Sequence, residues 1–369
     1  MPYRIRPNVH KMHLYSPGKP IEEVKRELGL TDVIKLASNE NPLGPSPKAV
    51  AAVAEAAKGM NIYPDASGYE LRQALSKKHG IAPEQIILGN GSDEILNLLG
   101  MAFLGGPSDR VVIGQPAFLR YGAVPVIPGA ECVRVPVTSE WRHDLNAMSA
   151  ALSGGANLVF IDNPGNPTGT IVRKQELDAF LKSVPEGTLV VLDEAYHEFA
   201  VHDPEYPNGL DYLREGRPVA VVRTFSKSYG LAGIRVGYAF VPQEVADAYN
   251  RVREPFDVNV LAQAAAIAAL DDDEHLRKTL EVNKQGLQRI ESWMKQHGFR
   301  TVESFANFVC IDVKSPAQEV ADALLKQGVI VRSGHVLGMP HHIRVTIGTP
   351  QEVERFLSAF EAVTTTAAT

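Results

Sequence analysis

A single lysine stands among hydroxyl residues and glycines in the segment TFSKSYGLAGIRVGY, residues 224–238. Lysine amines form Schiff bases with carbonyl compounds, and they react as nucleophiles when their surroundings lower the pKa. Thr224, Ser226 and Arg235 stand near Lys227 in the sequence and are candidates to hold a phosphate group beside it. The glycines of the same segment let the backbone approach a flat ligand closely. The segment therefore predicts a reactive lysine beside an anion site.

Three other polar segments follow predicted strands, at the sheet edge where ligands bind in open α/β proteins. In LGNGSDEILNLLGMAFL, Ser92 and Asp93 begin a helix whose free N–H groups and dipole attract an anion, and a plain N-cap by either residue is the alternative. The loop FIDNPGNPTGT, residues 160–170, predicts either a rigidly held asparagine amide or a structural turn. In VVLDEAYHEF, Asp193 ends an apolar strand, so its carboxylate needs a cation, a donor or water. A structural salt bridge is the alternative for Asp193, and Glu194 is expected to be solvated or to cap a helix.

Taken together, these groups match one cofactor, pyridoxal 5'-phosphate. The phosphate would sit on the helix start, and the aldehyde would join Lys227. Asp193 would pair with the protonated ring nitrogen, so that the ring accepts electrons during the reaction.

The elements that position these residues alternate along the chain. From about residue 46 to residue 270, apolar runs alternate with helical patterns, which is typical of crossover units around a mostly parallel sheet. The runs are almost continuous in Val, Ile and Leu, as in strands buried on both faces. Strands are predicted at 110–114, 156–162, 188–195 and 218–225, and helices at 69–80, 174–184 and 259–270. A further helix is predicted within 88–104, after its two glycines and its Ser-Asp pair.

A different pattern follows residue 270. A long charged helix at about 272–297 leads into strands at 305–313, 328–334 and 342–348, with helices at about 316–327 and 350–363. This pattern predicts an α+β unit. The first 45 residues are rich in proline and too short to fold alone, so we expect them to pack on this unit or on a partner subunit. The predicted division is an N-terminal arm at 1–45, a large domain at 46–275 and a small domain at 276–369.

The composition is typical of a globular protein that binds small molecules. The 369 residues carry a formal net charge of -6 without a basic block, which argues against nucleic acid as a partner. No apolar run has membrane-spanning length and no signal-peptide core is present, so we expect a cytoplasmic protein without a membrane partner. Cys132 and Cys310 lie in strand-like runs and are predicted to be buried thiols.

Nine motifs in order resemble the fold-type I pyridoxal-phosphate-dependent aminotransferases, and within them the histidinol-phosphate aminotransferase group. The motifs are ASNENPLGPSP (37–47), YPD (63–65), GNGSDE (89–94), NPGNPTG (163–169), DEAYHEF (193–199), TFSKSYGLAGIRVGY (224–238), FANFV (305–309), GVIVR (328–332) and IRVTIGT (343–349). One such motif is weak, whereas nine in order along nearly the whole chain are specific. The resemblance implies an α/β fold. It has a three-layer α/β/α large domain with a mostly parallel sheet, and a smaller α+β domain formed by the C-terminal part and the N-terminal arm.

The resemblance also implies roles in a cofactor site. Lys227 would be the Schiff-base lysine and the general base, and Asp193 the partner of the pyridine nitrogen. Asn166 and Tyr196 would hydrogen-bond the phenolic oxygen of the ring. Tyr63 would reach the phosphate from a second subunit, which implies a homodimer with shared active sites. The other implied phosphate ligands are Ser92, Asp93 through its backbone N–H, Thr224, Ser226 and Arg235.

Two arginines are implied as substrate ligands. Arg344 resembles the arginine that receives an amino-acid carboxylate, and Arg332 the one that the histidinol-phosphate group adds for a substrate phosphate. Bidentate guanidinium groups suit both anions. Asn39 and Tyr15, in the N-terminal arm, would form part of the substrate wall.

The segment QPAFLRY, residues 115–121, departs from the family pattern. Phe118 stands where the family often has a tyrosine, so it can stack on the cofactor ring but brings no hydroxyl. Tyr121 is the alternative stacking residue.

The implied reaction is transamination between histidinol phosphate and 2-oxoglutarate, in two half-reactions, within histidine biosynthesis. Aminotransferases for aromatic or other amino acids and threonine-phosphate-type decarboxylases share these motifs and stay open as alternatives. A non-catalytic ligand sensor is another class, but its DNA-binding module would need an N-terminal extension and a basic charge that the sequence does not predict. No metal is expected, because the spacing of His335, His341 and His342 lacks a zinc pattern.

Overall fold

The described part of the chain forms two β-sheets, each covered by its own helices. The computed structural model describes residues 3–12 and 18–366, so the predicted substrate residue Tyr15 lies outside the described residues. In this part of the chain the strands are β1 (Ile34–Leu36), β2 (Ile86–Gly89), β3 (Arg110–Gln115), β4 (Glu131–Pro136), β5 (Leu158–Asp162), β6 (Leu189–Asp193), β7 (Val219–Thr224), β8 (Gly237–Phe240), β9 (Arg300–Thr301), β10 (Phe308–Asp312), β11 (Val329–Ser333) and β12 (His342–Thr346). The helices are α1 (Ile21–Leu28), α2 (Pro47–Ala56), α3 (Tyr69–His79), α4 (Ser92–Phe103), α5 (Leu119–Ala123), α6 (Leu145–Ala151), α7 (Lys174–Ser183), α8 (His197–Ala200), α9 (Gly209–Arg214), α10 (Gln243–Val252), α11 (Val260–Leu270), α12 (Asp273–Gln296), α13 (Ala317–Lys326) and α14 (Pro350–Thr366).

The larger sheet has seven strands in the order β2-β8-β7-β6-β5-β3-β4. Strands β3 to β7 run parallel to one another, and β8 is antiparallel to both of its neighbours. Side chains alternate between the two faces of a strand, so Val190 and Leu192 belong to one apolar cluster and Val191 to another. Helices α3, α7 and α11 contribute to the first cluster, and α4 and α10 to the second. The predicted three-layer α/β/α domain with a mostly parallel sheet is confirmed.

The smaller sheet joins the two ends of the chain. Its strand order is β1-β11-β12-β10-β9, and β1 runs parallel to β11 with Ile34 opposite Val329. Helices α12, α13 and α14 cover it through a cluster that includes Ile290, Leu324 and Phe356. The small α+β domain therefore includes β1 of the N-terminal arm, as predicted. The domain limits near residues 45 and 275 stay a prediction.

One prediction about the cysteines is wrong in part. Cys310 is buried within β10, but Cys132 is only half-buried within β4, because β4 lies at the edge of the larger sheet. None of the helices in the described residues is long and apolar enough to cross a membrane.

Candidate active site

Two adjoining cavities lie between the ends of β5, β6 and β7 and the smaller domain. One extends toward Asp193 and Arg235, and the other extends toward Arg332 and Arg344. Lys227 therefore stands where the two cavities meet. The residues that line both are Ser38, Phe118, Asn166, Tyr196 and Lys227.

The amine of Lys227 is held in a partly desolvated position. Its Nζ donates a hydrogen bond to the carbonyl oxygen of Ser38 at 3.3 Å and lies 5.8 Å from the centre of the Tyr196 ring. Burial, and after it the positive charge of Arg344, lower the pKa of Lys227 to about 8. A lowered pKa gives a larger share of neutral amine near neutral pH, which a lysine nucleophile requires.

Asp193 ends β6 with a carboxylate that is only 4% exposed. The hydroxyl of Tyr121 donates to its Oδ2 at 2.8 Å, and the N–H of Ala195 donates to its Oδ1 at 3.2 Å. The pKa of Asp193 is raised to about 7, chiefly by burial. The hydrogen bond from Tyr121 lowers this pKa, and the negative charge of Asp162 raises it. No ion pair of Asp193 occurs within the described residues, so the structural salt bridge is a wrong alternative.

The neighbouring carboxylate of Glu194 makes the buried ion pair instead. Its Oε2 accepts hydrogen bonds from Arg223 at 2.7 and 2.9 Å, and both side chains are 2% exposed. Its Oε1 accepts from the N–H of Gly209, the first residue of α9, at 2.7 Å. The expectation that Glu194 is solvated is therefore wrong, whereas its contact with a helix start is confirmed. Arg223 is buried below the site and requires this partner.

The opposite end of the first cavity is built for an anion. Helix α4 begins at Ser92 after Gly91, and no side chain of the described residues caps it, so the N-cap alternative is wrong. A Cβ at Gly91 would lie 2.3 Å from Nη2 of Arg235, so only glycine lets this guanidinium reach the helix start. Free N–H groups and a guanidinium together favour a phosphate. The predicted residues that line this end are Ser92, Asp93, Thr224, Ser226 and Arg235.

The N-terminal arm reaches the site through Asn39. Its Nδ2 donates to the hydroxyl of Tyr196 at 2.8 Å, and burial raises the pKa of Tyr196 to about 12. Arg344 donates to Oδ1 of Asn166 and, at 2.9 Å, to the carbonyl oxygen of Ala37. Residues of the arm, the large sheet and the small sheet thus converge on the junction between the cavities.

The second cavity holds the two predicted substrate arginines. Arg332 of β11 and Arg344 of β12 stand opposite each other in the antiparallel pair. Both line the cavity together with Asn39. An anionic group of a substrate can therefore be met from two strands at once.

The structure distinguishes the two candidate stacking residues. Tyr121 is fully buried, lies parallel to the ring of Phe160 at 4.9 Å and donates to Asp193. Phe118 lines both cavities, whereas Tyr121 lines only the first. These positions favour Phe118 over Tyr121 as the residue that stacks on a ring in the first cavity.

Tyr63 is not among the residues that line either cavity. Its side chain is 78% exposed and stacks on Phe256 with ring centres 4.7 Å apart. It stands among other exposed apolar residues, Met60, Ile62 and Tyr69.

Similarity to known proteins places the chain in one family. The model of the aminotransferase class I and II family matches residues 31–360. The chain belongs to this family. This aminotransferase is 49% identical over 350 residues to the histidinol-phosphate aminotransferase of Moorella thermoacetica, which covers 95% of this chain and 90% of that protein. It is 47% identical over 360 residues to the histidinol-phosphate aminotransferase of Akkermansia muciniphila, with 96% and 98% covered.

The fold of this aminotransferase agrees with solved structures. It matches the crystal structure of histidinol-phosphate aminotransferase from Sinorhizobium meliloti in complex with pyridoxal-5'-phosphate. The TM-score is 0.91 at 29% sequence identity, over 99% of this chain and 98% of that chain. The fold-type I architecture implied by the motifs is thereby confirmed.

The aminotransferase site also contains residues that the motifs did not assign. Asp162 ends β5 in the first cavity, and its Oδ1 lies 2.6 Å from Nε2 of His143. Asp162 ends a fully apolar strand just as Asp193 does, so the same burial argument identifies it from sequence. No comparable pattern in the sequence indicated that the hydroxyl of Tyr121 contacts Asp193. In residues 3–12 and 18–366, no group of three or more His, Cys, Asp or Glu could hold a metal ion.

Proposed function

We propose that the protein is a pyridoxal-phosphate-dependent aminotransferase that acts on histidinol phosphate and 2-oxoglutarate. The observation that carries the proposal is the position of Lys227 at the junction of two cavities. One has an anion-binding end and an acidic end, and the other has two arginines. The names of relatives at 49% and 47% identity support the choice of substrates.

The residues at both ends of the first cavity support pyridoxal phosphate as its ligand. Arg235 and the uncapped start of α4 suit the phosphate, and Asp193 at the other end suits a protonated ring nitrogen. Gly91 leaves room for Arg235 at the helix start. When bound, the cofactor supplies an electrophilic aldehyde and an electron-accepting ring. In this proposal Asn166 and Tyr196 hold the phenolic oxygen, and Phe118 stacks on the ring.

The residues of the chain perform the remaining steps. Nζ of Lys227 would be the nucleophile toward the aldehyde and the base that moves the substrate α-proton, and a pKa of about 8 suits both roles. Ionised Asp193 would keep the ring nitrogen protonated. With its pKa raised to about 7, Asp193 is only partly ionised near neutral pH, and the positive charge of the ring would favour its ionised form.

Arg332 and Arg344 form one anion pocket that the two substrates use in turn. Histidinol phosphate carries a phosphate ester and 2-oxoglutarate carries two carboxylates, and guanidinium groups bind either anion in a bidentate manner. Asn39 lines the same pocket.

The working unit in this proposal is a homodimer in the cytoplasm. The exposed apolar surface around Tyr63 supports an interface with a second copy, since such patches on monomers are uncommon. Tyr63 of one subunit would then reach the phosphate site of the other.

A panel of amino donors tests the proposal. We expect the purified protein to show a visible band with pyridoxal phosphate. Histidinol phosphate and glutamate bleach this band rapidly, phenylalanine does not, and a keto product forms without carbon dioxide. Carbon dioxide as the product would identify a decarboxylase, and bleaching by phenylalanine alone would identify an aromatic aminotransferase. Lys227→Ala is expected to lose the band and nearly all turnover, and wild-type turnover in this variant would refute the assignment.

A further inference from the structure

Two carboxylates, not one, end neighbouring strands at the acidic end of the first cavity. Asp162 of β5 and Asp193 of β6 are register partners in a parallel pair, so their side chains leave the sheet on the same face. Each is 4% exposed, and both line the cavity. The proposed pairing of Asp193 with the ring nitrogen leaves Asp162 without a role.

Both oxygens of Asp162 are occupied by groups of the site. Oδ1 lies 2.6 Å from Nε2 of His143, and Oδ2 accepts the backbone N–H of Asn166 at 2.7 Å. The side-chain oxygen of Asn166 in turn accepts from Arg344. A continuous chain of hydrogen bonds therefore connects His143 to an arginine of the second cavity.

The imidazole of His143 occupies a closely fitted slot. The side chain is 6% exposed, and a Cβ at Gly114 would lie 2.2 Å from its Nδ1. That Nδ1 has no hydrogen-bond partner in the described part of the chain. A buried N–H without a partner is costly, so the neutral tautomer with its proton on Nε2 fits best. It donates to Asp162 and leaves the negative charge on the carboxylate.

This negative charge bears on Asp193. Like charges at neighbouring strand ends disfavour each other, and a cation held between them removes the conflict. A protonated ring nitrogen at Asp193 is such a cation. Asp162 thus has an electrostatic effect on the cofactor in addition to its hydrogen bond to Asn166.

We propose that Asp162, held by His143, is a positioning residue that fixes Asn166 and adds a second negative charge at the ring-nitrogen end of the site. This inference rests on the proposed binding of pyridoxal phosphate. It assigns to Asp162 and His143 a part in the reaction although neither belongs to the nine motifs.

The test compares holoenzymes of four variants with the wild type. Asp162→Asn removes the charge but keeps an oxygen for Asn166, and Asp162→Ala removes both. His143→Leu removes the donor, and His143→Gln restores a donor. The matched control is Tyr212→Phe, which removes a 2.6 Å hydrogen bond to the carboxylate of Asp178 outside the two cavities.

Three measurements separate positioning from a structural role. They are the cofactor dissociation constant, the pH midpoint of the visible band, and kcat with KM for the amino donor. We expect Asp162→Asn to lower the midpoint by about half a pH unit or more, because it removes negative charge beside a cation. Asp162→Ala is expected to weaken cofactor binding and to lower kcat about tenfold each, with a smaller change in KM. His143→Leu is expected to change cofactor binding and kcat in the same direction, and His143→Gln to bring both back to within about twofold of the wild type.

Two outcomes would overturn the inference. In the first, Asp162→Asn and His143→Leu keep the wild-type midpoint and kcat. In the second, every variant, including Tyr212→Phe, loses thermal stability but keeps the wild-type values of the three measurements. If Asp162→Ala does not fold, the Asn, Leu and Gln variants still decide between these results. A wild-type protein that forms no band with pyridoxal phosphate refutes the proposed function itself, which is a different result from unchanged variants of a wild type that does.

Discussion

The hydroxyl of Tyr121 donates a 2.8 Å hydrogen bond to Oδ2 of Asp193 at the wall of the first cavity. This bond lowers the pKa of Asp193, while burial raises it to about 7. Tyr121→Phe removes the lowering contribution, so the carboxyl of Asp193 holds its proton to higher pH. We expect the cofactor dissociation constant to rise about tenfold at neutral pH, measured by fluorescence titration. This loss of cofactor affinity should become smaller at higher pH, where Asp193 is ionised in both the variant and the wild type.

Tyr212→Phe again serves as the control for Tyr121→Phe. It also deletes a tyrosine hydroxyl bonded to a carboxylate of the large domain, at 2.6 Å from Asp178. Equal cofactor affinity of wild type and Tyr121→Phe at every pH would show that the hydroxyl does not act on Asp193.

Asp193 also affects the stability of the cofactor-free protein. Its pKa is raised from 3.8 to about 7 on folding, so the folded state holds a proton that the unfolded state releases. The stability that this proton contributes is complete below about pH 4 and is lost as pH rises through about 7. Asp193→Asn does not titrate. We expect its melting temperature without cofactor to exceed that of the wild type increasingly between pH 5 and pH 8. A difference in melting temperature that does not change with pH contradicts this account.

Arg344 connects the second cavity to Lys227. Its charge lowers the pKa of Lys227, second only to burial, and its guanidinium lines the second cavity. Arg344→Gln should lower kcat/KM about ten- to hundredfold for both histidinol phosphate and 2-oxoglutarate, because both anions lose a charged partner. The pKa of Lys227 should rise as well. Stopped-flow rates of each half-reaction over a pH series measure both effects.

Arg289→Gln is the matched control for Arg344→Gln. Arg289 belongs to the same domain, but its guanidinium is exposed and pairs with Glu354 at 2.6 Å. Its removal should leave both half-reactions unchanged. Unchanged half-reactions in Arg344→Gln would end the idea of a shared anion pocket.

Mixed dimers test the role of Tyr63. A Lys227→Ala subunit and a Tyr63→Ala subunit each damage their own homodimer. If Tyr63 reaches the partner's site, one of the two sites in a mixed dimer is intact. Random mixing of equal amounts should therefore restore about a quarter of wild-type activity. Activity that stays at the level of the separate variants shows that Tyr63 acts within its own chain or not at all.

The positions of most elements follow from hydrophobic pattern alone. Strands β5, β6 and β7 are nearly uninterrupted in Val, Ile and Leu, so both their existence and their burial are predictable. Because these strands are predictable, the positions of the polar residues at their ends, Asp193 and Thr224, are predictable too. Strand β4 was not predicted, because it lies at the edge of the sheet and its residues are buried to different degrees.

Pairings across the chain are harder to predict. A single sequence does not show that Glu194 meets Arg223, since this contact depends on how β6 packs beside β7. The bond from Tyr121 to Asp193 depends on where the loop after β3 returns to the sheet. Local pattern thus predicts which residues reach the sheet edge, whereas their partners are set by tertiary packing.

The pairing of β1 with β11 also sets an order of assembly during protein synthesis. Chains leave the ribosome from the N-terminus, so β1 must wait for its partner until nearly the whole protein has been translated. Strands β2 to β8 lie together between residues 86 and 240 and are complete much earlier. The wall of the second cavity that contains Arg332 and Arg344 is therefore the last part of the site to form. Under the proposed function, a nascent chain that stops before β11 carries Lys227 and Asp193 without the two arginines that would bind the substrate anion.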